Sequence, residues 1–285
     1  IGHQSMLVHT GGLRNVCIGA FSMKDTDAGS PSKASDDCVL IGYDAGGGDW
    51  ANQDCSNLIG IGSGALAGAL EGDTVDGTIA IGRDALTALT SGAYNIAIGY
   101  NSMDEHTTGR ANTCLGWGTM SQSGGDTTAQ DNTFIGASSG SGDWAGAGVD
   151  QNTAVGYSTM TGAMTGSNHN SAFGAHALEA LTSGDKNLAL GTYAANAVTD
   201  GHNNVVIGND ALKTSTSVGY AIAIGESAVA NGNVTDAADG TIGIGKGALY
   251  ALTTGAGNTA VGYECLDATD DGGLNTAVGY QSLSA

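Results

Sequence analysis

A glycine that follows Val, Ile, Leu or Phe recurs along the whole chain, at Gly2, Gly19, Gly42, Gly62, Gly82, Gly99, Gly116, Gly136, Gly156, Gly174, Gly191, Gly208, Gly225, Gly245, Gly262 and Gly279. Of the fifteen intervals, eight are 17 residues, one is 18, five are 20 and one is 23, so a 17-residue unit sometimes carries an extra turn. A fixed period of this kind decides the architecture, because each unit is too small to bury its apolar face alone and must stack on its neighbours. It predicts an all-β, repetitive parallel β-roll or β-solenoid of about 15 to 16 coils, running through residues 1–285 as one continuous domain with no second one.

Composition agrees. With 49 Gly against three Phe, three Trp and one Pro, an aromatic-rich core is not available. Eight basic residues against 28 acidic ones give a formal charge of −20, which opposes nucleic acid and anionic membrane as partners, since both require cationic footprints. No apolar run approaches the ~20 residues of a membrane span, and the opening residues lack the basic and apolar regions of a signal peptide. The sequence starts and stops inside repeat units and reads as a segment of a longer, extracellular chain.

Positions within a unit are numbered here from the recurring glycine. Position −1 is apolar and is expected to face inward. Position −2 is small or apolar, mostly Ala, and −3 is Val, Ile or Thr except at Ser171 and Leu188. Bulky β-branched residues flanking a small one describe a short strand with one bulky and one small face. Position +3 is small and +4 is usually Leu or Met, which predicts a second short strand and a turn. Asn occupies −4 in ten units (Asn15, Asn95, Asn112, Asn132, Asn152, Asn170, Asn187, Asn204, Asn258 and Asn275). Stacked identical Asn side chains can bond along a ladder, and Asn also suits turns and left-handed backbone, so this column is structural rather than catalytic. Gly46 and Gly140 interrupt the Leu/Met column, and both are followed by "GDW", placing Trp50 and Trp144 where they can cover the vacated core site.

Five cysteines fit neither CxxC spacing nor a dense disulfide framework. Cys17 and Cys114 at −2 and Cys265 at +3 stand where other units carry Ala or Ser, as small buried residues would; Cys38 and Cys55 lie in consecutive units and are either buried thiols or a pair.

Coils at the ~4.8 Å strand spacing would make a rod of roughly 70 to 80 Å. Each coil supplies one or two bulky side chains, worth ~1.5 to 3 kcal/mol apiece when buried, against the ordering of some seventeen residues. One chain therefore looks thin, and the Ala-rich face invites another backbone, so several chains are expected to share a core.

The units "NIAIGYNSM", "NTAVGYSTM", "NSAFGAHAL" and "NTAVGYECL" resemble the repeats of trimeric autotransporter adhesin heads, the YadA-like β-roll. "ALTTGAGNTAVGYECL" (251–266) is closer still to the "LTTGxxNTAVGYxAL" repeats of bacteriophage tail fibres. The resemblance covers nearly the whole chain, although adhesin-head units are shorter. It implies a homotrimer with three rolls around one axis, located in a virion tail fibre or at a cell surface.

Three functional classes follow. The first is a rigid phage-fibre spacer whose lengthened units (24–38, 69–78, 123–132, 141–152 and 231–241) supply candidate contacts to a host glycan or protein. The second is a bacterial surface adhesin or self-assembling filament. The third is an acyltransferase of the hexapeptide-repeat type, disfavoured because "IGRDAL" is followed by "TALTSG" rather than another aliphatic hexad, and because the six His residues share no repeat position. The chain is accordingly read as no enzyme, with no catalytic residue, metal or cofactor. Acidic loops such as "EGDTVDG" (71–77) offer oxygen ligands for Ca²⁺ but match no Ca²⁺-loop motif. Ice binding by the row Thr113, Thr133 and Thr153 is disfavoured because that column is Ile or Val elsewhere and is expected to face a core.

Overall fold

The computed structural model describes residues 1–7, 12–24, 35–50, 55–121, 128–144, 148–232 and 234–284. Parts of the long loops at 24–38, 123–132, 141–152 and 231–241, and His9, lie outside the described residues. The chain forms two compact units, Ile1–Asp150 and Gln151–Ala285.

Both units are parallel β-solenoid, built from three-residue strands. The first contains β1 (Val16–Ile18), β2 (Val39–Ile41), β3 (Ile59–Ile61), β4 (Ile79–Ile81), β5 (Ile96–Ile98), β6 (Thr113–Leu115) and β7 (Thr133–Ile135). The second contains β8 (Thr153–Val155), β9 (Ser171–Phe173), β10 (Leu188–Leu190), β11 (Val205–Ile207), β12 (Ile222–Ile224), β13 (Ile242–Ile244), β14 (Thr259–Val261) and β15 (Thr276–Val278). Within each unit every strand pairs with the next in register, as in Ile79↔Ile96 and Ile222↔Ile242. Because the register repeats, each sequence column becomes a straight row of like residues. Two single-turn 3₁₀ segments, Gly72–Val75 and Asp236–Ala238, occupy lengthened repeats.

No second strand follows the recurring glycine in the described coils. The chain makes a four-residue turn instead, in which positions +2 and +4 both adopt left-handed backbone: Asp84 (φ 57) and Leu86 (φ 51), Ser158 (φ 51) and Met160 (φ 50). Position −5 is left-handed as well, as at Tyr94 (φ 62) and Lys186 (φ 57). Such backbone costs about 1–2 kcal/mol per non-glycine residue. The compensation lies between coils. Asp84 donates its N–H to the Ser63 carbonyl of the preceding coil at 2.9 Å, whereas Leu86 donates to the Ser102 carbonyl of the following coil at 3.1 Å. Alternating right- and left-handed residues thus bend the chain while keeping its peptide groups aligned with the stack, where neighbouring coils can satisfy them.

The recurring glycine is required twice over. Its φ lies between +126° and +146° in both units, and a Cβ at Gly82 would meet the Gly99 carbonyl oxygen at 2.2 Å. Alanine has neither the backbone freedom nor the space.

The strand faces are reversed relative to the expectation from sequence. In every strand the −2 residue, mostly small, is the buried one, and the −3 and −1 residues point out of the coil. The interior is already filled from the turn side by the +4 Leu or Met and by a further buried residue at +7 or +8, such as Leu89, Leu181 and Leu252. Space opposite them is limited: a Cβ added at Gly60 would lie 2.8 Å from Leu40 Cδ2 of the preceding coil, and one at Gly243 would lie 2.8 Å from Val229 Cγ2 of the preceding coil. The Ala-rich face is therefore internal to one chain and cannot be a seam between chains. The Thr113, Thr133 and Thr153 column is outward and half-buried rather than core-facing.

Candidate interaction surface

The Asn column forms two uninterrupted ladders. In the first unit, Asn95 Oδ1 accepts from the backbone N–H and Nδ2 of Asn112 (3.0 and 3.2 Å), and Asn112 Oδ1 accepts likewise from Asn132 (3.2 and 3.0 Å). In the second, Asn152, Asn170, Asn187 and Asn204 repeat the pattern, ending where Asn204 Oδ1 accepts from Ala221 N at 2.9 Å. Each Nδ2 also donates to a backbone carbonyl three residues before the next rung, as Asn170 does to Gly184 at 2.9 Å. Asn258 and Asn275 form a further rung, joined from Asn275 N to Asn258 Oδ1 at 2.9 Å. The asparagines themselves are not left-handed; the residue before each one is. Their amides are satisfied along the stack, which leaves this column no free group for chemistry.

Where Asn is missing, the replacement shows what the column needs. Cys38 occupies the −4 position next to Asn15, accepts no disulfide partner, and donates Sγ–H to the Cys55 carbonyl at 3.3 Å. Cys38 and Cys55 therefore occupy different columns and are not bridged. All five cysteines are buried and none is in a disulfide, with burial pushing the Cys38 thiol up to about 12 and the Cys114 thiol further in the same direction. Buried in this way, none of the five sulfurs is open to a substrate.

Trp50 and Trp144 are both buried. A Cβ at Gly46 would meet Leu40 Cδ1 at 2.7 Å and Trp50 Cζ2 at 2.9 Å, and one at Gly140 would meet Phe134 Cδ1 at 2.8 Å. Leu40 and Phe134 are −2 residues, where other coils carry Ala. The vacated +4 site is thus occupied from the opposite wall by an enlarged −2 residue, with the indole beside it; the Phe134 and Trp144 ring centroids are 5.4 Å apart.

The outward face of the strands is a regularly ordered surface in both units. Its thirty positions carry only Val, Ile, Leu, Phe, Thr or Ser, in a chain with 28 acidic side chains. Most of them are half-buried, and several are exposed, with Ile18 41%, Leu115 45%, Leu190 46% and Val278 69% accessible.

Beyond the glycine, position +1 carries exposed aromatics: Tyr43, Tyr100, Trp117, Tyr157, Tyr263 and Tyr280. Some join cross-coil stacks. Tyr263 and Tyr280 lie parallel at 5.2 Å; in the neighbouring +2 column His176 stacks on Tyr193 at 4.8 Å, with Lys213 Nζ 4.8 Å over the same tyrosine. Tyr100 and Trp117 instead flank an open groove of about 320 Å³, whose lining includes Asn101, Asp104, Glu105 and Ser138. Burial raises the Asp104 carboxyl to about 6. Sequence reasoning missed this groove, although the +1 column was there to be read.

The described histidines converge on no nucleophile. His106 lies wholly inside the +7 column, where burial holds its pKa down to about 4. His3 and His202 make edge contacts with Phe21 and Tyr220. Among the described residues no group of three or more His, Cys, Asp or Glu is placed to hold a metal ion, and no helix is long and apolar enough to cross a membrane. A scan against protein-family models and a search of curated proteins give no match.

Proposed function

We propose that this chain is a structural fibre segment, most consistent with a phage tail fibre, in which three copies pack their outward strand faces around one axis and form a rigid extracellular spacer without catalytic activity. The carrying observation is the uncharged strand face: thirty positions in register without one Asp, Glu, Lys or Arg, on a chain of net charge −20. Apolar surface repeated over consecutive coils is costly in water and is characteristic of an interaction site. A flat row of β-branched side chains packs against its own copies without electrostatic repulsion, while the charged turns stay in solvent. Thin coils gain core volume by such packing, and the repeats' likeness to fibre and adhesin-head repeats points to three chains.

Native mass by light scattering, with an unheated gel in SDS alongside, tests this. A species of three chains is expected; a well-folded monomer at micromolar concentration overturns the reading.

A further inference from the structure

Position +1 faces solvent in coil after coil, and in one pair of adjacent coils its aromatic rings stack, Tyr263 on Tyr280. Tyr100 and Trp117 occupy the same column in adjacent coils, 17 residues apart, yet no ring contact joins them among the described residues. Arg83, from the preceding coil, instead sits over the Tyr100 ring at 5.7 Å. The result is a groove with an aromatic wall on each side, 44% and 58% accessible, and a polar floor. Asn101, Asp104 and Ser138 supply the polar side chains of that floor. Amide, carboxylate and hydroxyl oxygens of these side chains can accept from the hydroxyl donors of a ligand seated between the two rings.

We infer that the groove between Tyr100 and Trp117 binds one ring of an uncharged saccharide. A pyranose has an apolar C–H face, which suits the exposed indole, and a rim of hydroxyl donors, which suits Asn101, Asp104 and Ser138. The carboxylates of Asp104 and Glu105, within a strongly acidic chain, disfavour sialylated or sulfated sugars. At about 320 Å³ the groove is at the small end of ligand sites, matched to a single ring rather than a long chain. The inference gives a ligand class to a surface-exposed fibre. It needs only the coils of one chain, so a monomer that binds sugar would defeat the assembly reading alone, and a trimer that does not bind would defeat this one alone.

The test is binding of the whole chain to immobilised neutral oligosaccharides of glucose, galactose and N-acetylglucosamine, with a sialylated oligosaccharide in parallel, followed by isothermal titration of the best probe. Trp117→Ala and Asp104→Asn are expected to weaken binding roughly tenfold or more, whereas Trp117→Phe and Tyr263→Ala leave it within about threefold. Circular dichroism establishes that each variant is folded; Trp117 is largely exposed, so its replacement should leave the melting temperature in place. Absence of binding to every neutral probe, stronger binding to the sialylated one, or affinity unchanged in Trp117→Ala would each overturn the inference.

Discussion

Phe134 and Gly140 share one core site: a Cβ on Gly140 would lie 2.8 Å from Phe134 Cδ1, so the enlarged residue at one position requires the missing side chain at the other. The same relation holds for Leu40 and Gly46. Ordinary coils solve the problem with the opposite assignment, as in Ala154 with Met160. Phe134→Ala should therefore destabilise the chain by about 3–5 kcal/mol, and Gly140→Met should destabilise it by overpacking, at about 1–3 kcal/mol or more. The double variant restores the arrangement of the neighbouring coils and should be markedly more stable than the sum of the two changes. Denaturant melts of all four proteins give the coupling energy; additivity would show that the two sites are independent.

Asn170 is fully buried and uses its whole amide: Nδ2 donates to Asn152 Oδ1 and the Gly184 carbonyl, and Oδ1 accepts twice from Asn187. Asn170→Asp conserves shape but turns both donor contacts into oxygen facing oxygen. A loss of about 3–5 kcal/mol is expected at neutral pH. Burial, with one carboxylate oxygen facing two carbonyl-type oxygens, raises the new carboxyl's folded pKa above its unfolded value, so the fold is favoured below the unfolded value and that advantage is lost as pH rises through the folded one. The melting temperature of the variant should recover towards wild type on acidification. A variant as stable as wild type at pH 7 would show that the ladder contributes nothing.

The period, the strand position, the glycine requirement, the Leu/Met core column and the Asn ladder are all visible in the sequence, because stacking forces each to repeat in register. The sense of the strand faces was not. A bulky–small–bulky alternation ordinarily places the bulky residues inside, but here the turn delivers Leu86 and Leu89 into the same interior and leaves room only for Ala80. The turn itself was hidden because Leu86, Met103 and Val229 are poor candidates for left-handed backbone; inter-coil hydrogen bonds override that local preference. The groove was illegible for another reason: Tyr100 and Trp117 follow the same column rule as Tyr263 and Tyr280, and only ring placement separates a gap from a stack.

His106 gives the chain a built-in acid sensitivity. Its folded pKa, about 4, lies below the ordinary 6.5, so the unfolded state takes up the proton first as pH falls. Stability should drop by about 3 kcal/mol between pH 6.5 and 4, from the size of that gap. Asp104 acts in the opposite direction, since its raised pKa of about 6 favours the fold as pH falls through the same window. Its carboxyl is partly solvated, so the effect is weaker. His106→Leu copies the residue that the preceding coil carries in this column, Leu89. It should be near neutral at pH 7 and clearly stabilising at pH 4. Equal acid sensitivity in the two proteins, measured by urea melts at both pH values, would remove His106 as its source.

Ile222 lies on the outward face of β12, paired in register with Val205 and Ile242, and is half-buried in a single chain. Lysine at this position can keep its stem on the neighbouring aliphatic side chains and extend its ammonium into solvent. In an isolated chain Ile222→Lys should therefore cost no more than about 1 kcal/mol. In three chains packed through this face the same change brings three ammonium groups together in a dry seam, where an unpaired charge is far more costly. The expected result is loss of the trimer in sedimentation or light scattering, with the circular dichroism of the coil retained. Substituting the charged turn residue Lys213 by Glu, away from this face, should leave the mass unchanged. A trimer that tolerates Ile222→Lys would place the chain contacts on some other surface.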